Sequence, residues 1–375
     1  MTNNTGNANK TTRWGIIGTG TMACDFATGL RALPNAELVG VASRTETRSA
    51  DFASAFGIPN YFHSYESLAA HPDIDAIHIA TPNHRHADDC QMCLEQGKAV
   101  LCEKPFTISS EDARKVVAVA REKKVFCMEA MWMRFIPLIQ KMRQAVVVDK
   151  VIGQPSMLVA DFGYPVPHQA DNRFFNPELG GGGLLDRGVY PISLACYLLG
   201  LPDVVSGACA KDESGVDSSG TISLGWNKGV VAALHYSMLE RTSNIAILYG
   251  SEGHIVIEAP FFRPHRIVVN HGRPGVEPGD PIAAGASTSG IKGKIKARIK
   301  STLQNTKRRL ESMTPPKLGR KGKVWTDFGN GIGYQFEAEE VHRCLQAGQL
   351  ESETMPLDES IAIVELVEQL SNQWK

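Results

Sequence analysis

The sequence predicts an α/β protein in two parts: a doubly wound parallel sheet, then an α/β domain built on a large open, mostly antiparallel sheet. Three observations carry that expectation. Apolar runs alternate with helix-like stretches from Arg13 to about Arg134, the rhythm of a parallel sheet with crossover helices. Past residue 150, strand-like runs follow one another with few helices between them. The first apolar run also ends in a glycine-rich turn, Gly15 to Met22 followed by Ala23, at a strand-to-helix junction.

Taken in order, residues 1–12 are polar, rich in Asn and Thr, and read as a disordered tail without the apolar core of a signal peptide. Trp14 to Ile17 is the first strand, Met22 to Leu33 a helix and Ala36 to Ala42 a second strand, so the glycine turn lies inside a βαβ unit. Further strands fall at Ile74 to Ala80, Ala99 to Cys102 and Val125 to Met128. These place a first domain at 13–134 and a second at 135–375. In the second, strands are expected at Ser156 to Phe162, Gly220 to Trp226, Val230 to Ser237, Ile245 to Tyr249, Ile255 to Glu258 and Arg266 to Val269. A helix from Gly183 to Leu199 precedes most of them, and helices at Tyr334 to Gln346 and Leu357 to about Asn372 close the chain.

A basic insertion, 284–323, stands apart. From Ile291 to Lys323 twelve Lys or Arg accompany one Glu, a net +11 that leaves −12 for the rest of a chain whose total is −1. Ile291, Ile295, Ile299, Leu303 and Leu310 recur mostly four apart, the spacing of an amphipathic helix. Packing of that stripe on its own domain is favoured over docking on an acidic partner, an anionic membrane or nucleic acid.

The composition, 43% apolar and 21% charged over 375 residues, is that of a globular chain long enough for two cores. No apolar run reaches the roughly 18 residues of a spanning helix, so no membrane partner is expected and the location expected is cytoplasmic. Eight cysteines are scattered through apolar segments. Cys90 and Cys93 could share a helix face, but no second pair matches them, so the expectation is reduced structural thiols and no metal.

Gly18, Gly20 and Ala23 fit GxGxxG/A: a tight turn, close approach of a pyrophosphate to the backbone, and tight helix packing, with Thr21 and Met22 opening the helix. The second strand ends in Ser43 and Arg44, where an NAD-specific site would place a carboxylate. A hydroxyl and a guanidinium suit a 2′-phosphate, with Arg48 able to assist, which makes NADP the better choice and leaves NAD possible. The alternative is a solvated Arg44 beside a Ser43 helix cap. After the next major strand comes Thr81-Pro82-Asn83-His84-Arg85-His86, and after the following one Glu103-Lys104-Pro105. Both lie where open α/β sheets bind ligands, and Thr81, Asn83, His86, Glu103 and Lys104 are candidates to meet the cofactor. The run Gly180 to Gly183 is either a linker or a place where a ligand or another backbone comes close.

Together GIIGTGTMA, ATPNHRH, EKP, MWMRF and GGGGLLDRGVYP resemble the glucose-fructose oxidoreductase, inositol dehydrogenase and MocA family over nearly the whole chain. Within it, MWMRF and a Tyr ending GGGGLLDRGVY are most similar to the branch of dihydrodiol dehydrogenase and NADP-dependent xylose dehydrogenase. The resemblance implies an N-terminal Rossmann domain, a second domain whose open sheet covers the nicotinamide, and a homodimer or higher homo-oligomer. It implies Lys104 as the catalytic-site lysine, Asp186 orienting a substrate hydroxyl, and Tyr190 where other branches carry His. Lys104 is then expected to lower the Tyr190 pKa so that Tyr190 can shuttle a proton. Trp132, Arg134 and Arg173 are candidates to line the substrate pocket; the blander readings are a packed aromatic for Trp132, a surface ion pair for Arg173 and an aromatic core residue for Tyr190. The expected activity is NADP-dependent hydride transfer at a secondary alcohol or hemiacetal carbon of a sugar, polyol or cyclic trans-diol. The alternative is an NAD(P)-binding sensor or scaffold without turnover.

Overall fold

The computed structural model describes residues 11–167, 173–272, 322–327 and 331–374. Residues 1–10 and nearly all of 284–323 lie outside these, and with them the basic insertion and most of the expected tail, whose last residue, Thr12, is instead buried and opens the first strand.

Six parallel strands form the first sheet: β1 (Thr12–Ile17), β2 (Ala36–Ala42), β3 (Asn60–Phe62), β4 (Ala76–Ile79), β5 (Ala99–Glu103) and β6 (Cys127–Ala130). Their order is β3-β2-β1-β4-β5-β6, so the chain reverses direction across the sheet between β1 and β4. That reversal opens a crevice at the carboxyl ends of the strands. Connecting helices are α1 (Thr21–Leu30), α2 (Glu46–Phe56), α3 (Tyr65–Ala69), α4 (His86–Glu95) and α5 (Ser110–Lys123). Both faces of the sheet are covered, which is why its strands read as unbroken apolar runs rather than alternating ones. β3 escapes sequence reading because it is three residues long and none of them is fully buried.

On one face Phe26 of α1 stacks on His78 of β4, centroids 3.9 Å apart, and meets Trp14 edge-on. On the other, Cys90 and Cys93 of α4 are buried among Leu94, Val100 and Cys102, and burial pushes both thiols well up. All eight cysteines are free, and these two pack as small apolar residues.

After α6 (Pro137–Arg143) an eight-stranded sheet follows: β7 (Pro155–Gly163), β8 (Val204–Lys211), β9 (Asp217–Trp226), β10 (Val230–Ser237), β11 (Ala246–Gly250), β12 (Gly253–Ile257), β13 (Arg266–His271) and β14 (Lys323–Thr326). The order is β14-β13-β12-β11-β7-β10-β9-β8, antiparallel except where β7 lies parallel to β10. β8 is solvent-facing at alternate positions and β14 is short, so neither carries a strong apolar signal. Helix α7 (Val189–Leu199) packs on the inner face against β7 and β10.

The last two helices, α8 (Gln335–Gln346) and α9 (Leu357–Gln373), return to the first sheet's layer. α8 packs on α1, where Gly29 lets the Gln335 backbone approach: a Cβ there would lie 3.0 Å from the Gln335 nitrogen. α9 packs on α5, α7 and β8. The chain's end therefore clamps the two sheets together around the crevice.

Candidate active site

A cavity of about 880 Å³ runs from the glycine turn, along the carboxyl ends of the first sheet, to the inner face of the second. At its first end Gly18 has φ +109°, and a Cβ there would lie 2.4 Å from the Ala80 carbonyl oxygen. No side chain fits between the two strand ends. Gly20 differs: a Cβ would meet nothing within 4 Å, so open space stands before the N-terminus of α1. That helix has no side-chain cap and no acidic residue in its first turn. Unpaired N–H groups and the positive helix end facing open space fit a dinucleotide phosphate.

Thr21, Met22, Ser43, Arg44 and Arg48 line the same end. Ser43 is buried, its hydroxyl donating to the Thr45 carbonyl at 2.7 Å, so it braces its own turn and does not cap α2. Arg44 and Arg48 are exposed, with no ion pair among the described residues. A 2′-phosphate would meet these two guanidinium groups rather than the hydroxyl.

The loop after β4 forms the cavity's middle. Thr81 donates to Asp89 at 2.8 Å, and the Asn83 amide donates to the Gly180 carbonyl at 2.9 Å, tying the loop to the second part of the chain. His86 is wholly buried, both ring nitrogens engaged by the Pro105 and Thr81 carbonyl oxygens. It holds the Thr81 and Pro105 turns together where it lines the cavity.

The four glycines are not a linker. A Cβ at Gly180 would lie 2.8 Å from Ile108, at Gly181 2.7 Å from three carbonyl oxygens, at Gly182 2.5 Å from Asp217 and at Gly183 2.7 Å from the Tyr236 ring. Close packing of this backbone sets the entry angle of the next segment, a wide helical turn over Leu184–Gly188 that runs into α7. Asp217 accepts the Leu184 N–H at 2.6 Å and fixes that entry. Asp186 and Tyr190 are thereby delivered four residues apart to one face.

There Lys104, at the end of β5, donates from Nζ to Asp186 Oδ1 at 3.0 Å and to the Asp186 carbonyl at 2.9 Å. The pair is 9% and 18% exposed, so water screens it weakly. Burial would raise the Asp186 carboxyl, but Lys104, Arg187 and Arg173 together outweigh it and hold the pKa below the ordinary value. Arg173 also reaches Asn83 Oδ1 at 3.4 Å and lies over the Phe174 ring.

Tyr190 departs from expectation. Lys104 Nζ lies 4.9 Å from the centre of the Tyr190 ring, over its face, while the hydroxyl oxygen accepts the Trp132 indole N–H at 2.8 Å. Burial, followed by the charge of Glu103, pushes the phenol well up, so the expected lowering by Lys104 does not occur. Because Trp132 donates to the oxygen, the phenol's own proton stays available for donation.

Arg134 is corrected as well. It is fully buried away from the cavity, where it donates to Ser193 Oγ, the Ser193 and Thr354 carbonyls and Glu359, and lies over the Tyr197 ring. It fastens α7 to the start of α9. Trp132, its neighbour in MWMRF, does line the cavity, stacked on Tyr334 at 4.9 Å.

Several lining residues carry no motif that sequence reading uses. Phe162 and Phe262 stack at 4.5 Å, Tyr164 flanks them, and Tyr334 closes the wall. Arg187 sits over Phe162. Its place directly after Asp186 was the one available signal.

Beneath Lys104, His78, Glu103 and Glu337 come together with ligand-type atoms within 4.8 Å of one another, all sealed from solvent. Glu103 Oε2 accepts the Lys104 backbone N–H, and its Oε1 lies 3.3 Å from His78 Nε2. Burial, then the charge of Glu103, pushes the Glu337 carboxyl well up.

An uncapped helix N-terminus sharing one cavity with a cation, a carboxylate and a phenol fits hydride transfer with a dinucleotide, and the chain is an NAD(P)-binding oxidoreductase. Residues 12–131 match the oxidoreductase family with the NAD-binding Rossmann fold, and residues 139–256 match the GFO/IDH/MocA C-terminal domain. The chain belongs to the GFO/IDH/MocA family. It is 32% identical over 362 residues to the trans-1,2-dihydrobenzene-1,2-diol dehydrogenase of Bos taurus, covering 96% of this chain and 95% of that one. The enzyme of the same name from Homo sapiens is 31% identical over 364 residues, with the same shares covered. Among solved structures, a 3-ketoreductase from Actinomadura kijaniata in complex with NADP and TDP-benzene superposes with a TM-score of 0.76 at 23% identity, 98% of each chain covered. Levoglucosan dehydrogenase, in complex with NADH and levoglucosan, gives 0.77 at 17%, with 97% of each covered. Among the described residues no helix is long and apolar enough to cross a membrane.

Proposed function

We propose that the protein is an NADP-preferring oxidoreductase that interconverts a secondary alcohol or hemiacetal and its carbonyl or lactone on a sugar, polyol or cyclic trans-diol. The carrying observation is the Lys104–Asp186 pair beside Tyr190 in the cavity that begins at the glycine turn. Relatives named for a cyclic trans-diol support the substrate class. Arg44 and Arg48, with no carboxylate at the end of β2, support NADP over NAD.

Backbone N–H groups from Gly20 onward would hold the pyrophosphate, Arg44 and Arg48 the 2′-phosphate, and Thr81 and Lys104 the ground near the nicotinamide. The bound cofactor supplies or accepts the hydride. In the reduction direction Tyr190 donates its phenolic proton to the carbonyl oxygen while the Lys104 ammonium stabilises the charge developing there. Asp186 keeps Lys104 pointed into the cavity. With its pKa raised, the Tyr190 phenol carries its proton at neutral pH, and oxidation then requires loss of that proton, so oxidation should be the direction that gains with pH.

The same reading includes a homodimer through the outer face of the second sheet and a cytoplasmic location. Met157, Val231 and Val204 are exposed there and, with Gly225, fall in one cross-strand row over β7, β10, β9 and β8. The test of function is an NADP- and NAD-coupled absorbance screen over aldoses, polyols and vicinal diols, run in both directions. NADP-dependent turnover lost in Lys104→Ala supports the reading; cofactor binding with no turnover across the panel favours a sensor.

A further inference from the structure

The guanidinium of Arg187 is the least satisfied of the buried cations that line the cavity. Its side chain is 9% exposed, and its one charged neighbour among the described residues is Asp186 Oδ2, 3.4 Å from Nε. Nε itself is sealed from solvent with no hydrogen-bond partner. Asp186 cannot neutralise it, because Oδ1 of the same carboxylate already receives Lys104. Glu103, the other carboxylate at this end, is turned toward His78 and the Lys104 backbone. Arg134, which is fully buried, shows what a saturated guanidinium looks like here: it meets a carboxylate, a hydroxyl and two carbonyls.

Its Nη groups reach the cavity with no hydrogen bond to a described protein group, which leaves them open to a ligand in place of water. The side chain is not free to swing into water, since it lies over the Phe162 ring, 5.5 Å from its centre. Arg173 adds a second cation at the same end of the cavity. Three cations thus meet two carboxylates at this end of the cavity, Asp186 and Glu103, and a neutral polyol would leave that excess uncompensated.

We propose that Arg187 is an anion-recognition residue, so that the substrate carries an anionic oxygen group, a carboxylate or a phosphate, on the same skeleton as the reacting carbinol. This rests on the oxidoreductase reading of the cavity. Lys104 and Arg187 bracket the two oxygens of one carboxylate, so the reacting group and the anionic group lie within the span of a single six-membered ring. The planar fork of Arg187 takes two anionic oxygens side by side, and Arg173 adds its charge at the same end of the cavity. The aromatic wall of Phe162 and Phe262 covers the apolar face of the ring that bears them.

The test compares glucuronate, glucose 6-phosphate and glucose, as matched carboxylate, phosphate and neutral probes, by NADP-coupled kcat/KM and by the shift in Tm of the NADP-bound protein. In the wild type at least one anionic probe is expected to exceed glucose by about ten- to hundredfold, the factor of one charge-assisted bidentate contact. In Arg187→Leu that ratio collapses toward one; in Arg187→Lys, which keeps the charge, part of it returns, and NADP binding by both variants reports that they are folded. A preference for glucuronate assigns a carboxylate, one for glucose 6-phosphate a phosphate. If no probe turns over yet an anionic one raises the wild-type Tm and not that of Arg187→Leu, the anion site stands and the assigned reaction falls. Turnover with an anionic-to-neutral ratio near one, or a ratio unchanged in Arg187→Leu, overturns the anion site and leaves the reaction standing.

Discussion

The two ends of the cavity are built from different materials. The cofactor end is backbone: a glycine at φ +109° against a carbonyl oxygen, an uncapped helix N-terminus and an open space where Gly20 has no side chain. The substrate end is side chains brought together from distant segments: Lys104 from the first sheet, Asp186, Arg187 and Tyr190 from the turn into α7, Phe162 from β7 and Tyr334 from the start of α8. A backbone device tolerates no bulk at one position. A side-chain device fails one chemical function at a time. Substitutions at the two ends should therefore break the protein in different ways.

The largest effect is expected at Gly18. Gly18→Val places a branched Cβ where 2.4 Å separates it from the Ala80 oxygen, at a φ that L-residues avoid, so the fold is expected to lose at least about 3 kcal/mol together with NADP binding. Urea unfolding and cofactor-dependent fluorescence quenching check both. Gly20→Ala is the contrast: the fold keeps its stability because nothing lies within 4 Å, while the added methyl occupies phosphate space and weakens NADP by about tenfold, about 1.4 kcal/mol. If Gly20→Ala loses as much stability as Gly18→Val, the division between the two glycines is wrong.

Next come the two buried arginines. Arg134→Met strands Glu359 and the Ser193 groups and should cost about 3 to 5 kcal/mol in urea unfolding, without altering which substrate is preferred. Arg187→Leu should do the reverse, changing substrate preference more than stability. Equal stability losses in the two would remove the distinction between a saturated and an unsatisfied guanidinium.

At the substrate end Tyr190→Phe should lower the reduction rate by about 10²- to 10⁴-fold with NADP binding retained. Because the phenol is raised above its ordinary value of about 10, it stays protonated through neutrality, and reduction by the wild type should be flat from pH 6 to 9. The raised pKa also means that stability from the neutral phenol is complete below pH 10 and is lost as pH climbs past it toward the folded value. Asp186 runs the other way: its lowered pKa contributes stability present above about pH 4 and lost as pH falls through the folded value. A reduction rate that falls steadily between pH 6 and 9 would contradict a protonated Tyr190. The smallest effect, of the same size as that of Gly20→Ala on NADP binding, is expected in Arg44→Ala, which should reduce the preference for NADP over NAD by about tenfold.

The same division explains what could be read from sequence. The glycine turn, the parallel strands around it and the absence of a carboxylate after β2 were legible because backbone devices are local and spaced at fixed intervals. Lys104 and Asp186 were legible as motif members, and the structure brings them to 3.0 Å. The electrostatic state of Tyr190 was not, because it depends on depth and on Glu103, neither of which has a sequence period. Arg134 and Arg187 are both arginines inside recurring motifs; only the positions of Ser193, Glu359 and Phe162 tell which one is used up in packing. β8 and β14 were missed for a related reason, since edge strands expose too much of themselves to leave an apolar run.

The central claim, that this cavity transfers hydride with Lys104 at the reacting oxygen, is tested most directly by NADPH consumption with the carbonyl product of whichever substrate the screen identifies, in the wild type and in Lys104→Ala. A fall of about 10²-fold or more in kcat, in a variant whose fold is shown by its unfolding transition, is the predicted result. A Lys104→Ala protein that turns the same substrate over as fast as the wild type would contradict it.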